Sequence, residues 1–128
     1  MNIQIFYILL GVGRILIGLA PILVPKFSMK LIGFPEGHDN ATARLMGRLF
    51  GVRDAGLGFL VFFAISTPLI MPFALLLNLA MDAIDIISIA ISMPKKHGIN
   101  KAAKVSMGFA VFAVIAWTVA YIWQANLG

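Results

Sequence analysis

Four long apolar runs, each broken by few polar positions, dominate the chain: Ile3 to Val24, Leu45 to Ile65, Leu69 to Met93 and Val105 to Trp123. Each approaches the roughly 20 residues that an α-helix needs to cross the hydrocarbon core. The pattern predicts four spanning helices in a single domain over residues 1–128. Its punctuation agrees: Pro21 and Pro25 close the first helix, Thr67 and Pro68 begin the third, and Pro94 ends it. Asp39, Asn40 and Thr42 offer N-caps to the second helix, and Asn100 offers one to the fourth. Between Lys26 and Phe34, two lysines alternate with Phe27, Met29, Leu31, Ile32 and Phe34. This segment suits either a short stretch lying at the membrane interface or a solvated loop.

Composition supports the membrane assignment. The 128 residues are 61% hydrophobic and 12% charged, against about 25% charged in a soluble domain. The predicted class is therefore all-α, an integral membrane four-helix bundle whose first partner is the lipid bilayer. The first helix lacks a basic leader and carries Arg14 inside its apolar run, so it reads as a retained span rather than a cleaved signal. Lys26, Lys30, Arg44 and Arg48 flank the first connection and Lys95, Lys96, Lys101 and Lys104 crowd the third, while Ser66 to Pro72 is uncharged. The positive-inside rule then places loops 25–44 and 94–104 in the cytoplasm and both termini outside. In a bacterium the host membrane would be the plasma membrane. The net charge of +5 is explained by this topology, and no nucleic acid partner is expected. Tyr7, Trp117, Tyr121 and Trp123 fall toward the expected outer surface, as an aromatic belt does.

The informative residues are the charges inside the apolar runs: Arg14, Arg53 with Asp54, and Asp82 with Asp85 one turn beyond. A charge at the bilayer centre costs about 2.5–3.5 kcal/mol on insertion scales, so such groups face the bundle interior and pair. Helical periodicity puts Gly47, Gly51, Asp54 and Gly58 on one ridge, and Gly11, Arg14 and Gly18 on another. Small residues allow close approach of helices in lipid, so Arg14 and Asp54 are the first expected ion pair. On the third helix Asn78, Asp82, Asp85 and Ser92 share a stripe. Two carboxylates one turn apart in a low dielectric resist ionising together unless Arg53 or Arg48 compensates both. Counting Arg48, three arginines oppose three aspartates. The fourth helix has no ionisable acid or base beyond Lys104 except Tyr121, and is expected to close the bundle or face lipid.

No cysteine is present, and His38 and His97 fall in expected loops, so neither a metal centre nor a hydrolase triad is expected. Asn78-x3-Asp82-x2-Asp85 departs in spacing from the magnesium-diphosphate motifs of intramembrane prenyltransferases, and no cofactor is expected. The pattern Gly51-Val52-Arg53-Asp54-Ala55-Gly56-Leu57-Gly58 followed by Asp82-Ala83-Ile84-Asp85 resembles small four-helix membrane protein families whose members are uncharacterised. The resemblance implies the layout and brings no activity with it.

Three functional classes fit. The first is a membrane enzyme doing acid–base chemistry (cyclisation, isomerisation or epoxide opening) on a lipophilic small molecule. Its catalytic candidates are Asp82, Asp85, Asp54, Arg53 and Arg14, with Asn78 and Arg48 contacting substrate. The second is a proton-coupled transporter or channel built as a parallel homo-oligomer through Gly47, Gly51 and Gly58 or the apolar face of the fourth helix. The third is a structural or accessory protein whose charges hold the helices together.

Overall fold

A computed structural model describes residues 2–92 and 100–127. Among them run α1 (Ile3–Leu23), α2 (Pro25–Ile32), a 3-10 turn at Glu36–His38, α3 (Ala41–Ser66), a second turn at Pro68–Ile70, α4 (Met71–Ser92) and α5 (Asn100–Leu127). No strand occurs among the described residues. Four of the helices, α1, α3, α4 with its preceding turn, and α5, are long and apolar enough to cross a membrane, and the chain is an all-helical integral membrane protein. The expected stop at Pro94, the cations Lys95 and Lys96, and His97 lie outside the described residues.

Local chemistry sets the boundaries. Asn2 and Asn40 cap α1 and α3, their side-chain oxygens accepting from the backbone N–H of Gln4 and Ala43 at 2.9 Å each. Thr42, offered as an alternative cap, lies inside α3. Val24 (φ −134°, ψ 65°) and Thr67 (φ −131°, ψ 74°) each precede a proline, whose ring excludes the helical conformation one residue upstream. Each proline then opens the next element. The first connection is thus not a solvated loop: its first part folds into α2, which exposes Lys26, Phe27, Lys30 and Leu31 and buries Ser28. Gly33 ends α2 in the left-handed region at φ 108°, its N–H donating to Met29 O at 3.1 Å.

The spans pack as two helix pairs, α1 with α3 and α4 with α5, with fewer contacts between the pairs. Glycines set the first pair. Gly18 lies against Gly51 and Ala55, and Gly11 against Gly58 and Phe62, which makes the two helices antiparallel. A methyl group at Gly18 would come within 2.5 Å of Gly51 O and 2.6 Å of Ala55 N. The ridge expected to serve a homo-oligomer is therefore occupied inside the protomer: α1 covers Gly51 and Gly58.

The apolar core, Tyr7, Val61, Ala64, Met71, Ala74, Leu75, Trp117 and Ala120, fills the half of the bundle that holds the start of α1 and the end of α5. Tyr7 and Trp117 are thus core residues and not belt anchors. Trp117 lies ten residues before the end of α5, about 15 Å along the axis, too deep for an interface. The outer faces carry Leu9, Leu16, Phe59, Phe63, Phe73, Phe109 and Phe112, all exposed, which is the surface a lipid environment requires.

Candidate functional site

Arg14 sits at the middle of α1, Arg53 and Asp54 at the middle of α3, and Asp82 at the middle of α4, with Asp85 one turn further. Because all these helices cross the same slab, equal depth along each helix becomes equal depth in the bundle. The five side chains meet there.

Arg14 spans the seam between the helix pairs. Its guanidinium donates to both oxygens of Asp82, at 2.5 and 2.9 Å, and at 3.4 Å to Oδ1 of Asp54. All three side chains are buried. Arg53 makes the second bridge, donating to both oxygens of Asp85 at 3.0 and 2.8 Å and to Oδ1 of Asp54 at 3.2 Å. This second bridge is the rim of the cluster, with 31% of the Arg53 side chain and 22% of that of Asp85 exposed. Two-pronged arginine–carboxylate pairs are the strongest ionic geometry available to side chains. Asp54 has no such pair, and both arginines reach the same one of its oxygens.

The expected Arg14–Asp54 contact exists, yet the main partner of Arg14 is Asp82. Asp82 and Asp85 share a stripe, and each has its own arginine. Arg48 is not part of the arrangement: it is exposed and makes no ion pair among the described residues. The cluster therefore holds two cations against three carboxylates, not three against three.

Asn78, one turn before Asp82, is fully buried and ties α4 to α3, its amide donating to Ala74 O at 2.9 Å and to Leu57 O at 3.4 Å. Its Oδ1 has no hydrogen-bond partner among the described residues. Two aromatic rings complete the surroundings. The Arg14 guanidinium lies 5.6 Å from the centre of the Trp117 ring, and that of Arg53 lies 4.8 Å from the centre of Phe50, both within cation–π range. Trp117 is the site residue that the sequence reading missed. Its distance from the helix end was the signal that could have placed it at mid-membrane.

Outside the spans, Arg44 at the start of α3 donates to both oxygens of Asp39, at 2.7 and 2.9 Å. Hydrogen bonding by Arg44, reinforced by its charge and that of Lys26, holds the Asp39 carboxyl below the usual carboxylate range. Two clefts lie at opposite ends of the bundle. One, of about 410 Å³, is lined by Val24, Pro25, Lys26, Phe27, Lys30 and Arg44; the other, of about 270 Å³, includes Tyr7, Met71 and Gln124. Neither is lined by Asp82.

No curated protein and no solved structure matches the chain. A family model described as a domain of unknown function, DUF4267, matches residues 11–123, which takes in part or all of each of the four spans and every charge of the cluster. The chain belongs to the DUF4267 family, a family of unknown function.

Proposed function

We propose that the mid-membrane cluster holds one exchangeable proton, and that the protein uses it for acid–base chemistry on a lipophilic small molecule. One observation carries the reading: two arginines face three carboxylates. A net negative charge in lipid is costly, and a single bound proton neutralises the cluster. The charged groups facing Asp54 are Arg14 from α1, Arg53 from α3 and Asp82 from α4. Because the carboxylates share two arginines, the proton belongs to the cluster and not to one residue.

A substrate dissolved in the bilayer would approach at the partly exposed Arg53–Asp85 rim. The cluster would break a carboxyl O–H bond to protonate an alkene or epoxide oxygen, and the resulting carboxylate would take a proton from the product, returning the site to its initial state. Arg53 and Arg14 would stabilise the charge that develops. The positive-inside rule would put the lysine-rich ends of the bundle in the cytoplasm.

Infrared difference spectroscopy of the protein in lipid tests the charge count. The wild type should show one carboxylic-acid carbonyl band at neutral pH. Asp54→Asn, Asp82→Asn or Asp85→Asn should each abolish it, because a balanced cluster needs no proton. Arg53→Gln should strengthen it, because a second carboxylate then lacks a cation. A wild type without the band would sink the proposal. If the band behaves as stated, acid-sensitive lipophilic substrates should turn over with wild-type protein and not with Asp54→Asn.

The sparse contacts between the helix pairs favour a second reading, in which the two bridges act only as clamps. In that case Arg14→Leu combined with Asp82→Leu would keep the fold, and no carboxylic-acid band would be seen.

A further inference from the structure

At the end of the bundle far from the apolar core, α2 presents an exposed face that the cluster's chemistry leaves unexplained. Lys26 and Lys30 occupy one edge of that face, and Phe27 and Leu31, 60% and 72% exposed, occupy the adjoining edge. An eight-residue helix with neighbouring basic and apolar edges, joined directly to a membrane span through Val24, lies at the level of the headgroups. Between α2 and the start of α3 is the cleft of about 410 Å³. Its walls are almost wholly apolar, made by Val24, Pro25 and Phe27 and by the hydrocarbon stems of Lys26, Lys30 and Arg44; such side chains carry their charged ends toward the headgroup level.

We propose that this cleft binds an anionic phospholipid, its phosphate held by Lys26, Lys30 and Arg44 and the upper parts of its acyl chains lying against Val24 and Phe27. Three features support the assignment. The cations outnumber the carboxylate near them, since Asp39 pairs with Arg44 and feels the charge of Lys26, yet neither lysine has an ion pair among the described residues. The charge is placed beside apolar surface, which a soluble phosphate would not use. The depth also matches, because Leu23, Val24, Phe27 and Leu31 all expose apolar side chains at this end, where acyl chains begin. A lipid seated here would hold α2 against α3 from outside. The inference is independent of the proton proposal, since it involves other residues at another depth.

The test uses the full chain in phosphatidylcholine vesicles, measuring by electron spin resonance the association of spin-labelled phosphatidylglycerol relative to spin-labelled phosphatidylcholine. A cation at an anionic lipid surface contributes about fivefold, so two unpaired lysines predict a preference on the order of 25-fold. Lys26→Gln and Lys30→Gln should each lower it about fivefold, and Lys30→Arg should retain it. Lys104→Gln removes a cation from the same end without touching the cleft and should leave the preference unchanged. Circular dichroism checks that each variant remains folded. A wild-type preference near one overturns the proposal. So does an equal loss in Lys104→Gln, which would indicate surface charge alone, or displacement of the labelled lipid by inorganic phosphate, which would indicate a soluble anion.

Discussion

Two aspartates on successive spans should respond unequally to the same conservative change. Asp82→Asn strikes the two-pronged partner of Arg14, whose bonds measure 2.5 and 2.9 Å. Hydrogen bonds to charged groups contribute about 1.5–3 kcal/mol each, and the amide oxygen retains one of the two, so the expected loss is about 1.5–3 kcal/mol. Asp82→Ala removes both and leaves Arg14 with only a 3.4 Å contact to Asp54, raising the loss toward about 3–5 kcal/mol. Asp54→Asn is different. Its two contacts are longer, at 3.4 and 3.2 Å, and converge on one oxygen that the amide also supplies. Both arginine forks survive, and the cluster becomes electrically balanced. The expected cost is below about 1 kcal/mol. Reversible unfolding in mixed detergent–lipid micelles, followed by circular dichroism, gives the three free energies. If Asp54→Asn destabilises as much as Asp82→Asn, the assignment of the two arginine forks to Asp82 and Asp85 is wrong.

Two further outcomes follow from the packing and from the basic end. Gly18→Ala should cost about 1–3 kcal/mol, because its methyl would meet backbone atoms of α3, whereas Gly13→Ala, with nothing within 4 Å, should be neutral or slightly stabilising; the same unfolding assay compares them. The Asp39–Arg44 pair should persist from neutral pH down through the ordinary carboxylate range, because the folded-state pKa of Asp39 is lowered. Its contribution is complete above the unfolded value and is lost only as pH falls through the lowered one. The Arg44 Nε–H resonance, read by NMR during acid titration, reports the loss; a change already complete within the ordinary range would contradict the pairing.

Much of the architecture was legible along the chain. Four apolar runs of spanning length determine four helices in lipid, because no other backbone arrangement of a short apolar segment satisfies its own polar groups there. The boundaries at Pro25, Pro68 and Asn40 were legible because the clash upstream of a proline and the asparagine cap depend only on adjacent residues, whereas Pro21, expected to help close the first helix, lies inside α1. Periodicity also placed Gly18 and Arg14 on one face of the first span, and Gly51 and Asp54 on one face of the second. The likeness to small uncharacterised four-helix families could be read from two short segments and agrees with membership of DUF4267.

What the chain alone did not determine is partner choice. Arg14 stood at equal depth to Asp54 and Asp82, and side-chain periodicity cannot rank two acceptors on different helices. The crossing of α1 and α3 at Gly18 and Gly51 brings the backbones together, and Arg14 points across the seam to Asp82. Arg48 was counted with the cluster because it lies near the hydrocarbon zone, but its position five residues before Arg53 carries it to an exposed face and toward the basic end. Trp117 was assigned to the interface by residue type, whereas the packing of α5 on α4 turned it inward over Arg14. Sequence determines depth and face through the regular rise and turn of each helix; only the tertiary packing decides which faces meet, and so reduced an apparent three-to-three balance to two arginines against three carboxylates.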